Sequence, residues 1–284
     1  IKYFLSSGTS SSKRAHSFFS EAGLLSYKVS SLYSFYNIIK SFMGVSDPFS
    51  VKGISLIPQV SVWKSSSLAY MLGWISRYSN VTYLDVGSGD CRKKLEEIDL
   101  DKPVWLFATA FHCVNIYDLG VHFPLPVGSV VFETGGTKGK SRFVSREELL
   151  SIIEKVFEVP CSHVVSEYGM SELSSQAYGF NNMRADNPVL KFPEWVSTFV
   201  MNGLGNVSTS GLGSLLVRDP FRFDYPYYFR TQDVVDLDSQ GRFVFVGRAS
   251  TVPIKGCSLL ADSERKELSC FSKATKNIKN YKIK

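Results

Sequence analysis

Residues 145–172 read S-R-E-E-L-L-S-I-I-E-K-V-F-E-V-P-C-S-H-V-V-S-E-Y-G-M-S-E. Ser145 followed three residues later by Glu148 is the pattern of a capping box, which predicts that a helix begins there. The apolar run Cys161–Ser166 predicts a strand, and a turn is expected at Glu167–Glu172. A helix that leads into a short buried strand is the repeating unit of an α/β sheet with helices on its faces.

The same alternation extends from this stretch toward the N-terminus. Strands are expected at Ile1–Leu5, Ala15–Phe19, Ile54–Ile57, Val81–Val86, Lys102–Phe107 and Val127–Phe132, and helices at Leu24–Met43, Ser67–Tyr78 and Phe111–Leu119. After about residue 180, glycine, proline and short aromatic runs dominate, and Asp238-Ser-Gln-Gly241 predicts a hairpin turn. We therefore predict an α/β fold with a mainly parallel sheet core over 1–180, a smaller β-rich subdomain over 181–248, and a short C-terminal segment over 249–284.

Composition narrows the class of protein. The chain has 284 residues, 44% hydrophobic and 20% charged, with a net charge of +6, which is typical of a globular protein and excludes disordered, collagen-like and disulfide-dense classes. Its five cysteines are far apart and form no C-x-x-C, so reduced thiols and a cytoplasmic location are expected. The lysine-rich tail 273–284 lacks interleaved aromatic residues, so nucleic acid is not expected as a partner, and no membrane span is predicted.

Two glycine motifs point to other nucleotide-binding classes. L-D-V-G-S-G-D-C at 84–91 resembles the nucleotide loop of S-adenosylmethionine-dependent methyltransferases, but Cys91 replaces the third glycine and the next strand ends without an acid. G-G-T-K-G-K-S at 135–141 is one residue too short for a P-loop, and the helix after it begins late, at Ser145. A plain strand-to-helix turn is the alternative for the first motif.

Four motifs in order give a more specific match. They are S-S-G-T-S-S-S-K-R at 6–14, the glycine pair at 135–136, S-E-Y-G-M-S-E at 166–172, and the run from F-R-T-Q-D to V-G-R at 229–248. This set resembles the adenylate-forming superfamily of acyl-CoA synthetases and related ligases. The residues of these motifs are most similar to those of the acyl-protein synthetase subunit of the bacterial bioluminescence fatty-acid reductase and of phenylacetate-CoA ligase-like relatives.

The resemblance implies a binding site for ATP. The opening loop would grip the β- and γ-phosphates through Ser6, Ser7, Gly8, Thr9 and Ser10. The family usually has a glycine where Ser11 stands. Gly135 and Gly136 would lie against the adenine, and Tyr168, next to Gly169, would stack on the base.

The later motifs would complete the nucleotide site. Ser171 would touch the α-phosphate and Glu172 would hold Mg²⁺, an ion that typically takes one or two carboxylates plus substrate phosphates. Asp233 would accept both ribose hydroxyls, and Arg248 would contact the ribose or a phosphate. The subdomain over 181–248 would therefore complete the site.

The implied activity is ATP-dependent conversion of a fatty or other hydrophobic carboxylic acid to acyl-adenylate, followed by transfer to a thiol. The thiol would be Cys270 or Cys257 of the chain itself, or belong to an acyl-accepting reductase or carrier protein. His112 would close the acyl pocket near the reacting carboxylate, with a purely structural histidine as the alternative.

The ends of the chain depart from the family pattern. The sequence begins at the phosphate loop and ends soon after Arg248, where the family carries a further mobile domain. We therefore expect a truncated C-terminal domain, in a fragment or in a reduced member. A catalytically weakened binding or partner protein is the second hypothesis, and a methyltransferase is the third.

Overall fold

The computed structural model describes residues 1–6, 15–86, 94–95, 97–98, 100–135, 144–181, 187–225 and 227–249. They form a mixed α/β fold in which helices cover both faces of one part of a twelve-stranded sheet. The predicted fold class is confirmed, while the predicted domain boundaries stay a prediction.

One part of the sheet is parallel. Its order is β4–β3–β5–β6–β7, and every neighbouring pair in it is parallel. The bounds of its strands are β3 Gly53–Ser55, β4 Val81–Tyr83, β5 Trp105–Thr109, β6 Val130–Thr134 and β7 Val164–Tyr168. Strands β5 and β6 are almost entirely buried because helices cover both faces, as parallel sheets require.

The rest of the sheet is antiparallel and continues from β7 in the order β8–β9–β14–β13–β12–β10–β11. Its strands are β8 Ala177–Phe180, β9 Val189–Lys191, β10 Ser197–Met201, β11 Val207–Ser208, β12 Gly211–Arg218, β13 Phe229–Leu237 and β14 Arg242–Arg248. The predicted hairpin turn between β13 and β14 is confirmed, since the amide of Gly241 donates to the carbonyl of Asp238.

Among the described residues, four helices with complete bounds pack on the parallel strands, two on each face. Their bounds are α1 Glu21–Met43, α2 Ser67–Ile75, α3 Ala110–Asp118 and α4 Arg146–Phe157. Helices α1 and α2 bury Phe35 and Leu72 against Phe132 of β6, whereas α3 and α4 pack on the opposite face. Among the residues described, no helix combines the length and the apolar character needed to cross a membrane.

A separate two-stranded sheet lies at the N-terminus. It pairs β1, Lys2–Leu5, with β2, His16–Phe19, in antiparallel register; the sequence predicts the two strands but not their pairing. Phe4 and Phe19 are fully buried and pack edge to face, 5.1 Å between centroids. Leu5 and His16 pair at the end of the hairpin where the serine-rich loop begins and ends, and α1 starts beyond the opposite end of β2.

Two local expectations are corrected. Strand β7 runs through Tyr168, so Glu167 is a strand residue and not the first residue of a turn. In α1 the apolar spacing is misleading, because Leu25 and Val29 are largely exposed while a row of small residues (Gly23, Ser30, Ser31 and Ser34) is buried. Small side chains let the helix lie close to the sheet and to the loop after β7.

Candidate nucleotide site

The candidate site lies where three parallel strands end. Strands β5, β6 and β7 are neighbours in the sheet, so their last residues, Thr109, Thr134 and Tyr168, share one edge. In open α/β sheets this carboxyl edge is where ligands bind. Five of the described site residues suggested by the sequence come shortly after these strand ends: His112, Gly135, Gly169, Ser171 and Glu172.

Asp233 is the centre of the site. Its side chain lies in the interior of β13 and the residue is 4% exposed. The hydroxyl of Tyr168 donates to its Oδ2 at 2.8 Å, and Nε of Arg248 donates to its Oδ1 at 2.9 Å. Three residues expected from sequence to bind one nucleotide thus meet at a single carboxylate.

Tyr168 is fixed from two sides. Its ring packs edge to face on Phe192 and Phe243, with centroids 6.0 and 5.4 Å away. Burial, followed by the neighbouring charge of Asp233, raises the pKa of Tyr168 above its ordinary value. The phenol therefore keeps its proton and donates to Asp233 at physiological pH.

Ser171 and Glu172 follow β7. The Ser171 hydroxyl donates to Oε2 of Glu172 at 3.0 Å and lies 3.2 Å from Oγ of Ser17 in β2. Glu172 is half-buried. In the described ranges, no three His, Cys, Asp or Glu side chains gather as a metal cage. A single carboxylate still fits Mg²⁺, which keeps several waters and uses substrate phosphates as ligands.

His112 belongs to the first turn of α3, directly after β5. Its Nδ1 accepts from the amide of Thr109 at 3.3 Å, and its own amide donates to Oγ1 of Thr109 at 3.2 Å, which completes a capping box. Because a backbone amide nitrogen can only donate, Nδ1 is the acceptor in the first of these hydrogen bonds. The ring is 93% buried at the edge of the candidate site, and its role in an acyl pocket stays a prediction.

Other predicted residues border the site or lie outside the described ranges. Ser6 closes the base of the serine-rich loop, with its Oγ accepting from the amide of Ala15 at 3.0 Å. Gly135 directly follows β6 and has φ +67°. Gly169 directly follows β7. Seven predicted site residues lie outside the residues described: Ser7, Gly8, Thr9, Ser10, Gly136, Cys257 and Cys270.

Glu167 is a buried acid that the sequence interpretation overlooked. It is 8% exposed and accepts a short hydrogen bond on Oε2 from Oγ1 of Thr134, at the end of β6. Burial raises the pKa of Glu167 to about 7, the Thr134 hydrogen bond opposes that rise, and Glu133 adds to it. Its position in a strand that is otherwise buried was the available signal.

A cavity of about 400 Å³ lies at the opposite edge of the sheet. It is lined by residues that precede β3, β5 and β6, among them Lys52, Pro103 and Gly128. None of the predicted site residues lines it. We place the candidate site at the carboxyl edge because the charged and hydrogen-bonded groups converge there.

Comparisons with known proteins identify a shared fold. No family model matches the sequence, and no curated protein matches it either. Among solved structures, O-succinylbenzoate coenzyme A synthetase (MenE) from Bacillus subtilis in complex with AMP is 16% identical, with a TM-score of 0.58 over 89% of this chain and 50% of that one. ATP-bound MatB from Rhodopseudomonas palustris is 12% identical, with a TM-score of 0.57 over 89% and 49%.

A third similar structure is the adenylation domain of a keto acid-selecting NRPS module bound to keto acyl adenylate. It is 14% identical, with a TM-score of 0.59 over 87% of this chain and 52% of that one. Identities this low show a shared fold, so the chain has the fold of adenylation domains. It spans about half the length of the solved structures it matches.

Proposed function

We propose that this chain binds ATP and a carboxylic acid and joins them into an acyl-adenylate. The observation that carries the proposal is the meeting of Tyr168, Asp233 and Arg248, which come from two different motifs, at the carboxyl edge of the sheet. The similar structures bound to ATP, AMP or keto acyl adenylate lend support at the level of the fold.

The ribose is assigned to Asp233. A carboxylate offers about four lone-pair sites, and Tyr168 and Arg248 use two of them. The remaining sites suit two adjacent hydroxyl donors. Since both protein donors hold the carboxylate in place, it is oriented before the nucleotide arrives, which lowers the entropic cost of binding.

The reaction requires two anions to be held together. A carboxylate oxygen of the acid forms a bond to the α-phosphorus, the bond from that phosphorus to the pyrophosphate oxygen breaks, and pyrophosphate leaves. Arg248, whose side chain is 44% exposed beside Asp233, supplies positive charge, and Ser171 donates a hydrogen bond to the α-phosphate. Mg²⁺ held by Glu172 would neutralise further phosphate charge.

The acid is proposed to be a fatty or other hydrophobic one, and the acceptor a thiol. The thiolate attacks the acyl carbonyl carbon, the bond from that carbon to the AMP oxygen breaks, and a thioester and AMP result. Cys270 and Cys257 are the candidate nucleophiles of the chain, and an acyl-accepting reductase or carrier protein is the alternative acceptor. Intact-mass analysis after incubation with ATP, Mg²⁺ and a fatty acid tests this step, because a hydroxylamine-sensitive adduct identifies self-acylation.

The adenylation step is tested by ATP–pyrophosphate exchange over a panel of carboxylic acids. Asp233→Asn replaces one acceptor oxygen by a donor facing Tyr168 or Arg248, and we expect KM for ATP to rise about 10- to 100-fold, the usual range for a lost charged hydrogen bond. Asp236→Asn is the control, since it makes the same change on the opposite face of β13.

Two results would count against the enzyme. ATP–pyrophosphate exchange that stays at background for every acid, and that Glu172→Gln leaves unchanged, contradicts the proposed adenylation activity. ATP binding in calorimetry without exchange supports the alternative of a binding protein with an adenylation fold, and robust exchange removes that alternative.

A further inference from the structure

The segment between β12 and β13 makes contacts that the sequence motifs do not indicate. It begins at Asp219, which is 2% exposed. Its Oδ2 accepts from the amides of Ser174 at 2.8 Å and Ser175 at 2.7 Å, and its Oδ1 accepts from Oγ of Ser175 at 2.9 Å. The chain directly after Glu172 is therefore held by a buried carboxylate.

Arg222 is the second member of this segment and is 3% exposed. Its Nε donates to the carbonyl oxygen of Glu172 at 3.2 Å, and its Nη2 donates to the carbonyl oxygen of Phe18 in β2. The guanidinium lies 3.6 Å from the centroid of the Phe19 ring. One side chain thus joins the backbone of the proposed magnesium ligand to the strand that follows the serine-rich loop.

Asp224 extends the connection to helix α1. Nη1 of Arg222 donates to its Oδ2 at 3.0 Å, and the same oxygen accepts from the amide of Ser20, the N-cap residue, at 3.1 Å. A side chain at Gly23 would bring a Cβ within 1.9 Å of this oxygen, so glycine is required there. The carboxylate at the helix N-terminus also suits the helix dipole.

We propose that Arg222 is a positioning residue that fixes the distance between Glu172 and β2, and that it thereby sets the affinity for magnesium-bound nucleotide. This proposal rests on the proposed function. Phosphates held by the loop that leads into β2 and a magnesium ion held by Glu172 would have to match the spacing of one triphosphate. An error of about 1 Å in such a spacing is costly.

Only arginine suits these partners. The guanidinium presents five donors in a rigid planar fork, and here they reach two carbonyl oxygens and a carboxylate that belong to different segments. Lysine keeps the charge but is a point donor on a flexible stem, so it cannot hold all three positions at once. Arg222→Lys therefore separates loss of positioning from loss of charge.

The experiment compares Arg222→Lys with Arg242→Lys in the full chain. Arg242 also pairs with an aspartate, Asp238 at 2.7 Å, but it is the first residue of β14 and makes none of the contacts described for Arg222. For Arg222→Lys we expect KM for magnesium-ATP to rise about tenfold while KM for the acid stays within about twofold, and the control to change neither. Hydrogen exchange should accelerate together at the amides of Ser20, Ser174 and Ser175 in Arg222→Lys alone.

A folded Arg222→Lys protein with unchanged KM for magnesium-ATP, or with equal rises for both substrates, overturns the proposal. If Arg222→Lys does not fold, Asp224→Asn should raise KM for magnesium-ATP by a smaller factor, about threefold. An unchanged KM in Asp224→Asn would also overturn the proposal. Failure of the proposed function looks different: the unsubstituted chain then shows neither exchange nor calorimetric ATP binding. Hydrogen exchange still tests the connection in that case, and unchanged protection at Ser20 and Ser174 refutes it.

Discussion

The parallel and antiparallel halves of the sheet contribute to the site in different ways. In the parallel half, helices cover both faces, so strands such as Trp105–Thr109 are buried on both sides and their polar site residues follow the strand ends. In the antiparallel half, β13 buries alternate residues, and Asp233 is placed in a strand interior. In a sheet that is covered on both faces, functional side chains are placed at the edge where the strands end. In the antiparallel half, a functional side chain can also be placed within a strand.

The largest expected effect tests how completely the two halves are covered. Phe132 in β6 is fully buried and its ring stacks on Phe107 at 5.4 Å, whereas Phe245 in β14 is only half-buried. We expect Phe132→Ala to lower the free energy of unfolding by about 3–5 kcal/mol and Phe245→Ala by about 1–2 kcal/mol. Urea denaturation measures both, and equal losses would contradict the difference between the halves.

The next effect concerns the acid at the end of β7. Because burial raises the pKa of Glu167 from 4.5 to about 7, the folded protein binds a proton that the unfolded chain has released in this window. Its contribution to stability is fully present below about pH 4.5 and is lost as the pH rises to about 7. We expect Glu167→Gln to remove this dependence and to raise stability at pH 8 by at most about 3 kcal/mol.

Melting temperatures between pH 5 and pH 8 measure this difference. Glu154→Gln, on the exposed face of α4, makes the same change of charge and is the control. Thr134→Val removes the hydrogen bond that lowers the pKa of Glu167, so it should extend the loss of stability to higher pH. If the melting temperature of Glu167→Gln depends on pH as strongly as that of the wild type, another group is responsible for the dependence.

The smallest effect is expected at two glycines with a left-handed backbone conformation, one in each half of the sheet. Gly135 directly follows β6 with φ +67°, and Gly241 lies in the β13–β14 turn with φ +72°. Among the described residues, no atom lies closer than 3.5 Å to a Cβ added at either glycine, so alanine costs mainly backbone strain, about 1 kcal/mol at each position. Only Gly135→Ala should also raise KM for ATP, and the same rise in Gly241→Ala would place the site elsewhere.

Most of the fold could be predicted from local patterns. Short apolar runs and caps such as Ser145 located the strands and helices of the parallel half, because each of these signals acts within a few residues. The buried face of α1 could not be predicted in this way. Its small residues are buried because the sheet and the loop after β7 approach closely, a tertiary effect that outweighs the apolar periodicity of Leu25 and Val29.

The site was predictable only where a motif marks it. Tyr168, Asp233 and Arg248 lie in recognisable runs, and the structure brings them together. Arg222 lies outside the motifs, and Glu167 lies inside one of them without a role implied by the resemblance, since the importance of both comes from burial and from partners far away in sequence. Such contacts exist only after the chain has folded.

The contacts from Arg222 to Phe18 and from Asp224 to Ser20 each join residues 204 positions apart. A ribosome makes the earlier residues first, and at ordinary rates of synthesis roughly 10 to 40 s pass before their partners are made. During that interval the beginning of α1 lacks the carboxylate that caps it. The nascent chain therefore completes this connection last, and a stalled ribosome would display the parallel strands without it.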